Sequence, residues 1–243
     1  MDQEIFHSIE AFMRESMESE DGAHDTDHIY RVLYLALEIA GSESAHAIDY
    51  GTLIAACLLH DIGRADQTAD RTRDHAQVGS EKAYHWLREN GWQEAAARQI
   101  AECILTHRFR SDHPPESIEA KILFDADKLD VTGAIGIART FLYKAAISEP
   151  IYSLQPDGKV SDGSGPHEAP SFLQEYKYKL EKIYDKFYTE HARQIAADRQ
   201  EAAAAFYQAI LCEARTCYRR GPEFLTELLQ SENDLFSAEN NEE

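Results

Sequence analysis

Apolar residues recur at helical spacing along most of the chain, and this periodicity limits the fold more than any other feature of the sequence. No segment alternates apolar and polar residues for long enough to predict a β-strand. We therefore predict an all-α fold. The predicted helical segments cover residues 3–20, 26–41, 50–60, 74–90, 93–107, 117–130 and 172–218, the last as one long helix or two.

Two segments between these helices are predicted to be loops. Residues 64–73 are polar with alternating charges, which is typical of a mobile loop or a lid. Residues 148–170 contain repeated Pro and Gly, so they cannot sustain a helix, and loops of this length are usually functional or disordered. We predict a single helical domain over 1–222, made of a core (20–147), this loop and C-terminal helices (171–218), with a disordered acidic tail over 231–243.

The composition excludes several classes of partner. The net charge of −20, from 44 acidic against 24 basic residues, argues against binding to a nucleic-acid polymer or to an anionic membrane. No apolar run reaches the roughly 18 residues of a membrane span. The acidic N-terminus lacks the order of a signal peptide, and the four scattered cysteines form no CxxC pair. We expect a reduced, cytoplasmic protein.

The apolar run that ends at Leu59 is followed directly by His60 and Asp61, with Gly63 two residues later. Adjacent residues inside a helix point about 100° apart and seldom serve one centre. At a helix end terminated by glycine, the backbone can turn enough to direct both side chains to one spot. An imidazole and a carboxylate that converge there suit a transition-metal ion, whereas two solvated side chains are the simpler alternative.

Other chemically active side chains also stand at predicted helix ends. They are His28, His75, His107 and Asp127. Helix ends of an all-α domain often meet at a common cleft, so these side chains could meet His60 and Asp61 in space.

The motifs DHIYRV, LLHDIG and DADKLD occur in an order that resembles the HD-domain superfamily of metal-dependent phosphohydrolases, and most closely its single-domain bacterial branch. The resemblance runs from about His24 to Phe141, and AKILFDADKLDVTGAIGIARTF is its most specific part. It implies an HD-domain helical bundle in which His28, His60, Asp61 and Asp127 ligate one metal.

Two imidazoles and two carboxylates leave two positions of an octahedral shell open, which suits Mn²⁺, Fe²⁺, Ni²⁺ or Co²⁺, with Mg²⁺ also allowed. Asp61 is expected to orient the attacking water as well. His75 resembles the histidine that dNTP-cleaving relatives place near the scissile phosphate, which implies substrate binding or general-acid catalysis. His107 resembles the histidine that binuclear relatives use, with His75, for a second metal; a helix-end histidine satisfied by the backbone is the alternative.

Two basic residues are predicted to contact the substrate. Lys128 follows Asp127 directly and Arg64 lies just beyond the HDIG turn, so either could reach a phosphate group, although solvated side chains are the alternative. His75 and His107 complete the predicted substrate-binding set.

The resemblance implies a metal-dependent phosphohydrolase that cleaves a phosphate ester or anhydride. The favoured substrate is a nucleotide, as for a nucleotidase or a dNTP pyrophosphohydrolase. The GYP extension of cyclic-dinucleotide enzymes is absent after HDIGR, which argues against that substrate. A di-iron oxygenase of HD fold and a non-catalytic module that senses a metal or a nucleotide are the alternatives. The expected partner is a small phosphorylated molecule, and a homodimer is left open.

Overall fold

The computed structural model describes residues 1–17, 26–108 and 113–239, with side chains through residue 230. Its α-helices are α1 (Gln3–Ser16), α2 (Thr26–Ser42), α3 (Tyr50–Leu59), α4 (Arg64–Ala69), α5 (His75–Glu89), α6 (Glu94–Thr106), α7 (Ile118–Leu129), α8 (Gly133–Ala146), α9 (Phe172–Tyr178) and α10 (Glu190–Glu239). A 3₁₀ helix, Leu180–Asp185, lies between α9 and α10. The described residues form no strand beyond an isolated bridge between Leu154 and Val160, and the all-α prediction is confirmed. No described helix is both long and apolar enough to cross a membrane.

Three segments differ from the sequence prediction. The polar segment after Gly63 begins with the short helix α4 and is not a loop throughout. The C-terminal region breaks after α9 and again at residues 186–189, where the chain turns into α10. The helix α10 continues through Glu239, so residues 231–239 are helical where a disordered tail is predicted; the preceding turns, residues 223–230, are rich in the strong helix formers Glu and Leu, and a helix once formed extends readily. Residues 18–20 of the first predicted helix and 240–243 of the predicted tail lie outside the described residues.

The central helix of the first core is α3. It is apolar on all sides, a composition typical of a helix that is buried all round, and Leu53, Cys57 and Leu58 are completely buried. Helices α1, α2, α6 and α7 pack around it. Because α3 is enclosed in this way, the residues that follow its last turn lie inside the bundle and not at its surface.

A second core is formed by α8, α9, α10 and the segment 148–170. Phe172 is completely buried and stacks on Phe141, with ring centroids 4.2 Å apart. The Tyr207 hydroxyl donates a hydrogen bond of 2.6 Å to the Asp162 carbonyl, and Val160 is buried. The Pro- and Gly-rich segment therefore contributes to this core and packs on α10.

Asp125 of α7 holds the start of α10 on the first core, to which Phe187, Ala192 and Ala196 belong. Its carboxylate accepts hydrogen bonds from the backbone N–H groups of Tyr188 and Thr189 and from the Thr189 hydroxyl, at 2.7 to 3.1 Å. These donors lie immediately before the first turn of α10, where a negative charge also interacts favourably with the helix dipole. In addition, Arg199 of α10 donates to the Leu129 carbonyl at the end of α7, at 2.7 Å.

Candidate metal centre

Five helices bring the chemically active residues together at their ends. His28 lies in the first turn of α2, His60 and Asp61 follow α3, His75 begins α5, His107 follows α6, and Asp127 lies in the last turn of α7. The four histidines and Asp61 are buried, while the Asp127 side chain is 13% exposed. The four predicted metal ligands therefore surround one small volume, together with His75 and His107.

Gly63 allows the turn after α3 to approach α5 closely. A Cβ atom at this position would lie 2.2 Å from the His75 carbonyl oxygen and 2.7 Å from the Gly79 nitrogen. The backbone of Gly63 has φ −88°, so the glycine is required by close approach and not by a left-handed conformation. The sequence predicts Gly63 as a helix terminator. In the structure it instead permits the close packing of the turn against α5, and α4 starts directly after it.

Each histidine of the site uses its Nδ1 atom in a hydrogen bond away from the centre. His60 Nδ1 donates to the Cys57 carbonyl (2.8 Å) and His107 Nδ1 to the Ile104 carbonyl (2.5 Å). A carbonyl oxygen only accepts, so both rings carry their proton on Nδ1. The Nε2 atoms of these two rings consequently present lone pairs to the centre.

The same arrangement holds for the other two histidines, through side-chain acceptors. His28 Nδ1 lies 2.7 Å from Asp130 Oδ2, and His75 Nδ1 lies 2.8 Å from Gln67 Oε1. The Gln67 amide nitrogen donates to the Arg73 carbonyl, so its oxygen must face His75. Acceptors of this kind orient metal-binding imidazoles and fix their tautomer.

The two carboxylate oxygens of Asp61 face different pairs of histidines. Oδ2 lies 3.6 Å from His28 Nε2 and 3.7 Å from His60 Nε2. Oδ1 lies 3.5 Å from His75 Nε2 and 3.6 Å from His107 Nε2. Asp127 joins the first pair, with Oδ1 at 3.5 Å from His28 Nε2.

Two groups of ligand atoms therefore share this centre. We call the set His28, His60 and Asp127 the first group, and the set Asp61, His75 and His107 the second group; within each, the ligand atoms lie within 4.8 Å of one another. The Nε2 atoms of His75 and His107 are buried and have no hydrogen-bond partner among the described residues. Buried lone pairs without a donor are rare in proteins, and a bound cation would satisfy both of them.

The pKa values of His60, His75 and Asp127 favour the protonation states that bind a metal. Burial lowers the pKa of His60 to about 4 and that of His75 to about 2, so both rings are neutral at pH 7. Burial opposes ionisation of Asp127, but the adjacent Lys128 and the histidines hold its pKa well below the usual value. Neutral imidazoles and ionised carboxylates are the ligand forms of these residues.

Asp130 belongs to the surroundings of the site and is not among the site residues predicted from the sequence. Besides His28, its carboxylate accepts from Arg31 Nε at 2.7 Å and from an Arg139 guanidinium nitrogen at 2.7 Å. It lies one helical turn after Asp127, which places both carboxylates on one face at the end of α7. Gln67 was not identified from the sequence, because nothing in the polar segment around it distinguishes it.

The basic residues predicted to bind substrate lie beside the metal-site carboxylates. Lys128 Nζ is 2.6 Å from Asp127 Oδ2 and 3.3 Å from the His107 carbonyl oxygen. Arg64 Nε is 3.0 Å from Asp61 Oδ1. Both side chains are partly exposed, at 14% and 22%, so they stand where the centre meets the solvent.

The chain is similar to proteins of one family. Residues 26–132 match the family model described as the HD domain, and this range contains every residue of the two groups. A predicted HD superfamily hydrolase from an uncultured Thermotogales bacterium is 31% identical, over 85% of this chain and 91% of that one, with a TM-score of 0.58.

Two Bacillus proteins are similar over comparable lengths. An HD-superfamily hydrolase of Bacillus thuringiensis is 29% identical, over 87% of this chain and 97% of that one, with a TM-score of 0.64. YpgQ of Bacillus subtilis, in a crystal structure with ADP, is 26% identical over 86% of this chain and 97% of that one, also with a TM-score of 0.64.

Proposed function

Because the chain belongs to the HD-domain superfamily, we propose that it is a metal-dependent phosphohydrolase whose substrate is a nucleotide. The observation that carries the proposal is the pair of ligand groups around Asp61, with imidazole Nε2 lone pairs and carboxylate oxygens directed at one volume. A divalent cation held there would supply Lewis acidity, which makes a water molecule more nucleophilic and withdraws charge from a phosphoryl group.

His28, His60, Asp61 and Asp127 are the proposed ligands of the principal cation. Nitrogen and oxygen donors with open positions suit Mn²⁺, Fe²⁺, Ni²⁺ or Co²⁺, and Mg²⁺ is allowed by the carboxylates. A second cation at His75, His107 and Asp61 Oδ1 is part of the proposal, because the two buried Nε2 atoms have no hydrogen-bond donor among the described residues.

The chain's own residues would position the water and the phosphate. Asp61 is completely buried, and its carboxylate is the proposed acceptor that orients the attacking water. Lys128 and Arg64 are the proposed phosphate contacts, because their cationic groups stand at the solvent edge of the centre. They would offset part of the negative charge that the chain as a whole presents to an anionic substrate.

Two roles compete for His75. It was predicted as a substrate-binding or general-acid residue, and its position 3.5 Å from Asp61 keeps it near any bound phosphate. However, the hydrogen bond from Nδ1 to Gln67 leaves a lone pair on Nε2, and a group without a proton on that atom cannot donate one from it. The arrangement therefore favours His75 as a cation ligand.

A nucleotide is the proposed substrate class for two reasons. YpgQ of Bacillus subtilis has been crystallised with ADP, and that protein is similar to this chain along most of its length. In addition, the basic groups next to the centre are suited to a phosphate chain. A cytoplasmic location stays a prediction; the described structure contains no disulfide, and Cys57, Cys103, Cys212 and Cys217 are all free thiols.

Release of phosphate and of pyrophosphate, measured separately for a panel of nucleoside mono-, di- and triphosphates with Mn²⁺, tests the proposal. We expect release from at least one class of nucleotide and at least about a hundredfold loss in Asp61→Asn, which keeps the shape of the side chain but removes its charge. Protein that binds Mn²⁺ but releases nothing from any nucleotide would refute the hydrolase. Tight nucleotide binding without turnover would favour the sensing module instead.

The sharing of Asp61 by two ligand groups also favours a second candidate, the di-iron oxygenase. It requires two irons and therefore both groups, including His75 and His107. Oxygen consumption by protein loaded anaerobically with Fe²⁺, followed after exposure to air with candidate organic substrates, distinguishes the two. Oxygen consumption coupled to product formation would favour the oxygenase. Nucleotide-dependent phosphate release without oxygen consumption would favour the hydrolase.

A further inference from the structure

We propose that Arg64 controls the occupancy of the second ligand group, because its guanidinium competes with a divalent cation for Oδ1 of Asp61. A phosphate group of the substrate would draw the guanidinium away and so open this oxygen to the cation. This inference rests on the proposed function, since it requires a divalent cation in the first group. It assigns to Arg64 a positioning role in metal loading beyond simple contact with phosphate.

The backbone fixes Arg64 beside Asp61. Its N–H donates to the Asp61 carbonyl at 2.9 Å, and Gly63 packs against α5 too closely for the turn to shift. The Arg64 Nε atom lies 3.0 Å from Asp61 Oδ1 but has no hydrogen-bond partner among the described residues, so charge alone holds it there. An ion pair without an aligned hydrogen bond is readily exchanged for a better one.

The two ligand groups carry unequal charge. The first group contains the Asp127 carboxylate, adjoins Oδ2 of Asp61, and includes His28, whose Nδ1 is held by the Asp130 carboxylate. Arg31 and Arg139 offset the charge of Asp130, and Lys128 pairs with Asp127. Lys128 contacts Oδ2, however, whereas Oδ1 of Asp127 faces His28, so the oxygen that faces the centre still favours a divalent cation.

The second group has only the shared carboxylate of Asp61. The partners of its imidazoles are neutral, namely the Gln67 amide oxygen and the Ile104 carbonyl. A cation at this position would also meet the like charge of the Arg64 guanidinium on the same oxygen, Oδ1. The first group should therefore fill first, and the second should bind a cation weakly while Arg64 stays on Asp61.

A phosphate is a better partner for the guanidinium than Oδ1 of Asp61. The planar guanidinium presents several N–H donors that match phosphate oxygens two at a time, whereas its contact with Asp61 has no aligned hydrogen bond. The Arg64 side chain is 22% exposed and can reach an anion that arrives from solvent. Binding of the anion and of the second cation should consequently be cooperative, and each should strengthen the other by the same factor.

Titration with Mn²⁺ tests this inference in the intact protein. The free ion is measured by electron paramagnetic resonance, with and without inorganic phosphate, and a protein-free titration corrects for the Mn²⁺ that phosphate binds. For the wild-type protein we expect one tightly bound Mn²⁺ and a second Mn²⁺ whose affinity is at least about tenfold lower. The affinity of this second ion should increase when phosphate is added. In Arg64→Gln the second Mn²⁺ should bind at least about tenfold more tightly without phosphate, and phosphate should have no further effect.

Arg108→Gln is the matched control. It removes the same charge close to His75, but its guanidinium pairs with Asp74 at 2.7 Å and not with Asp61. We expect it to change the second binding constant by less than about threefold. An equal effect of the two substitutions would overturn the inference, because it would indicate a general effect of charge.

Two further outcomes separate this inference from the proposed function. Two Mn²⁺ ions that bind wild type equally tightly, with no change in Arg64→Gln, would overturn the inference and leave the metal-dependent hydrolase standing. Absence of any bound Mn²⁺ in the wild type would overturn the proposed function, and the role of Arg64 with it.

Discussion

Asp130 orients His28, one of the three residues of the first ligand group. Its carboxylate lies between three donors, the His28 ring and the guanidinium groups of Arg31 and Arg139. The arginines hold the carboxylate in place, and the carboxylate holds His28 with Nε2 toward the centre. Burial disfavours ionisation of Asp130, but the hydrogen bonds from His28 and Arg31 keep its pKa below the usual value. It is therefore available as an anion at neutral pH.

We expect Asp130→Asn to weaken Mn²⁺ binding by about 10- to 100-fold, the usual range when the partner of a metal-bound histidine is changed. The asparagine amide can orient toward the arginines or toward His28, but it offers no charge to either. Isothermal titration with Mn²⁺ measures the effect.

Asp125→Asn serves as the control, because Asp125 lies two residues before Asp127 but faces the start of α10. This variant should lower the free energy of unfolding by about 1–3 kcal/mol and leave the affinity for Mn²⁺ unchanged. Equal loss of affinity in both variants would contradict this role of Asp130.

At the scale of elements, the centre depends on how closely α5 approaches the turn after α3. The sequence predicts most helices because their buried faces are apolar at regular spacing, as in α5, α6 and α7, or because the helix is apolar on all sides, as in α3. It fails for α4, which buries none of its residues and so has no apolar face to recognise. It also fails for the contact of Asp125 with α10, since 63 residues separate the partners and no local pattern reports it.

The residues of the candidate site were largely predictable from the sequence, but their contacts were not. Each metal-site residue stands at a helix end, and the motif order supplied the grouping of His28, His60, Asp61 and Asp127. The division into two groups around Asp61 was not predictable, because it depends on which carboxylate oxygen faces which ring. The hydrogen bond of Gln67 to His75 depends in the same way on the packing of α4 against α5.

Gly63→Ala tests the close approach of the turn. The added Cβ would lie 2.2 Å from the His75 carbonyl oxygen, so α5 must move and carry His75 with it. We expect the free energy of unfolding to fall by about 1–3 kcal/mol or more, as for overpacked cores, and the second ligand group to lose Mn²⁺ affinity. Urea unfolding and Mn²⁺ titration measure the two effects.

Gly41→Ala is the matched control for this change. A Cβ at Gly41, near the end of α2, would meet no atom within 4 Å. Because alanine favours the helix, this variant should be as stable as the wild type or more stable, by up to about 1 kcal/mol. If Gly63→Ala proved equally harmless, the packing role of Gly63 would be wrong.

At the scale of the whole molecule, a chain of net charge −20 buries four histidines and the carboxyl group of Asp61 in its interior. That arrangement should make the metal-free protein sensitive to acid. Burial lowers the pKa of His60 to about 4 and of His75 to about 2, from 6.5. Below pH 6.5 the unfolded chain binds protons at these positions that the folded protein does not, so the stability falls as the pH falls from 6.5 toward 4.

His28 contributes in the opposite direction. Burial disfavours its charged form, but the hydrogen bonds that its ring makes to the Asp130 and Asp61 carboxylates raise its pKa above 6.5, so its contribution is present below that value and is lost as the pH rises. Of these three histidines, His60 and His75 lower the stability as the pH falls, and His28 raises it. Urea midpoints of chelator-treated protein, measured from pH 7 to pH 4.5, should therefore decrease steadily with pH, and a constant or rising midpoint would contradict the burial of neutral His60 and His75.

The central claim is that the helix ends of this bundle hold a divalent cation. Diffraction from crystals grown with Mn²⁺, recorded on both sides of the manganese absorption edge, tests it directly. We predict that the strongest anomalous peak lies between His28, His60, Asp61 and Asp127, and that any weaker peak lies beside His75 and His107. Bound manganese that gives no peak at the first group, or that gives its main peak elsewhere in the molecule, would contradict the account.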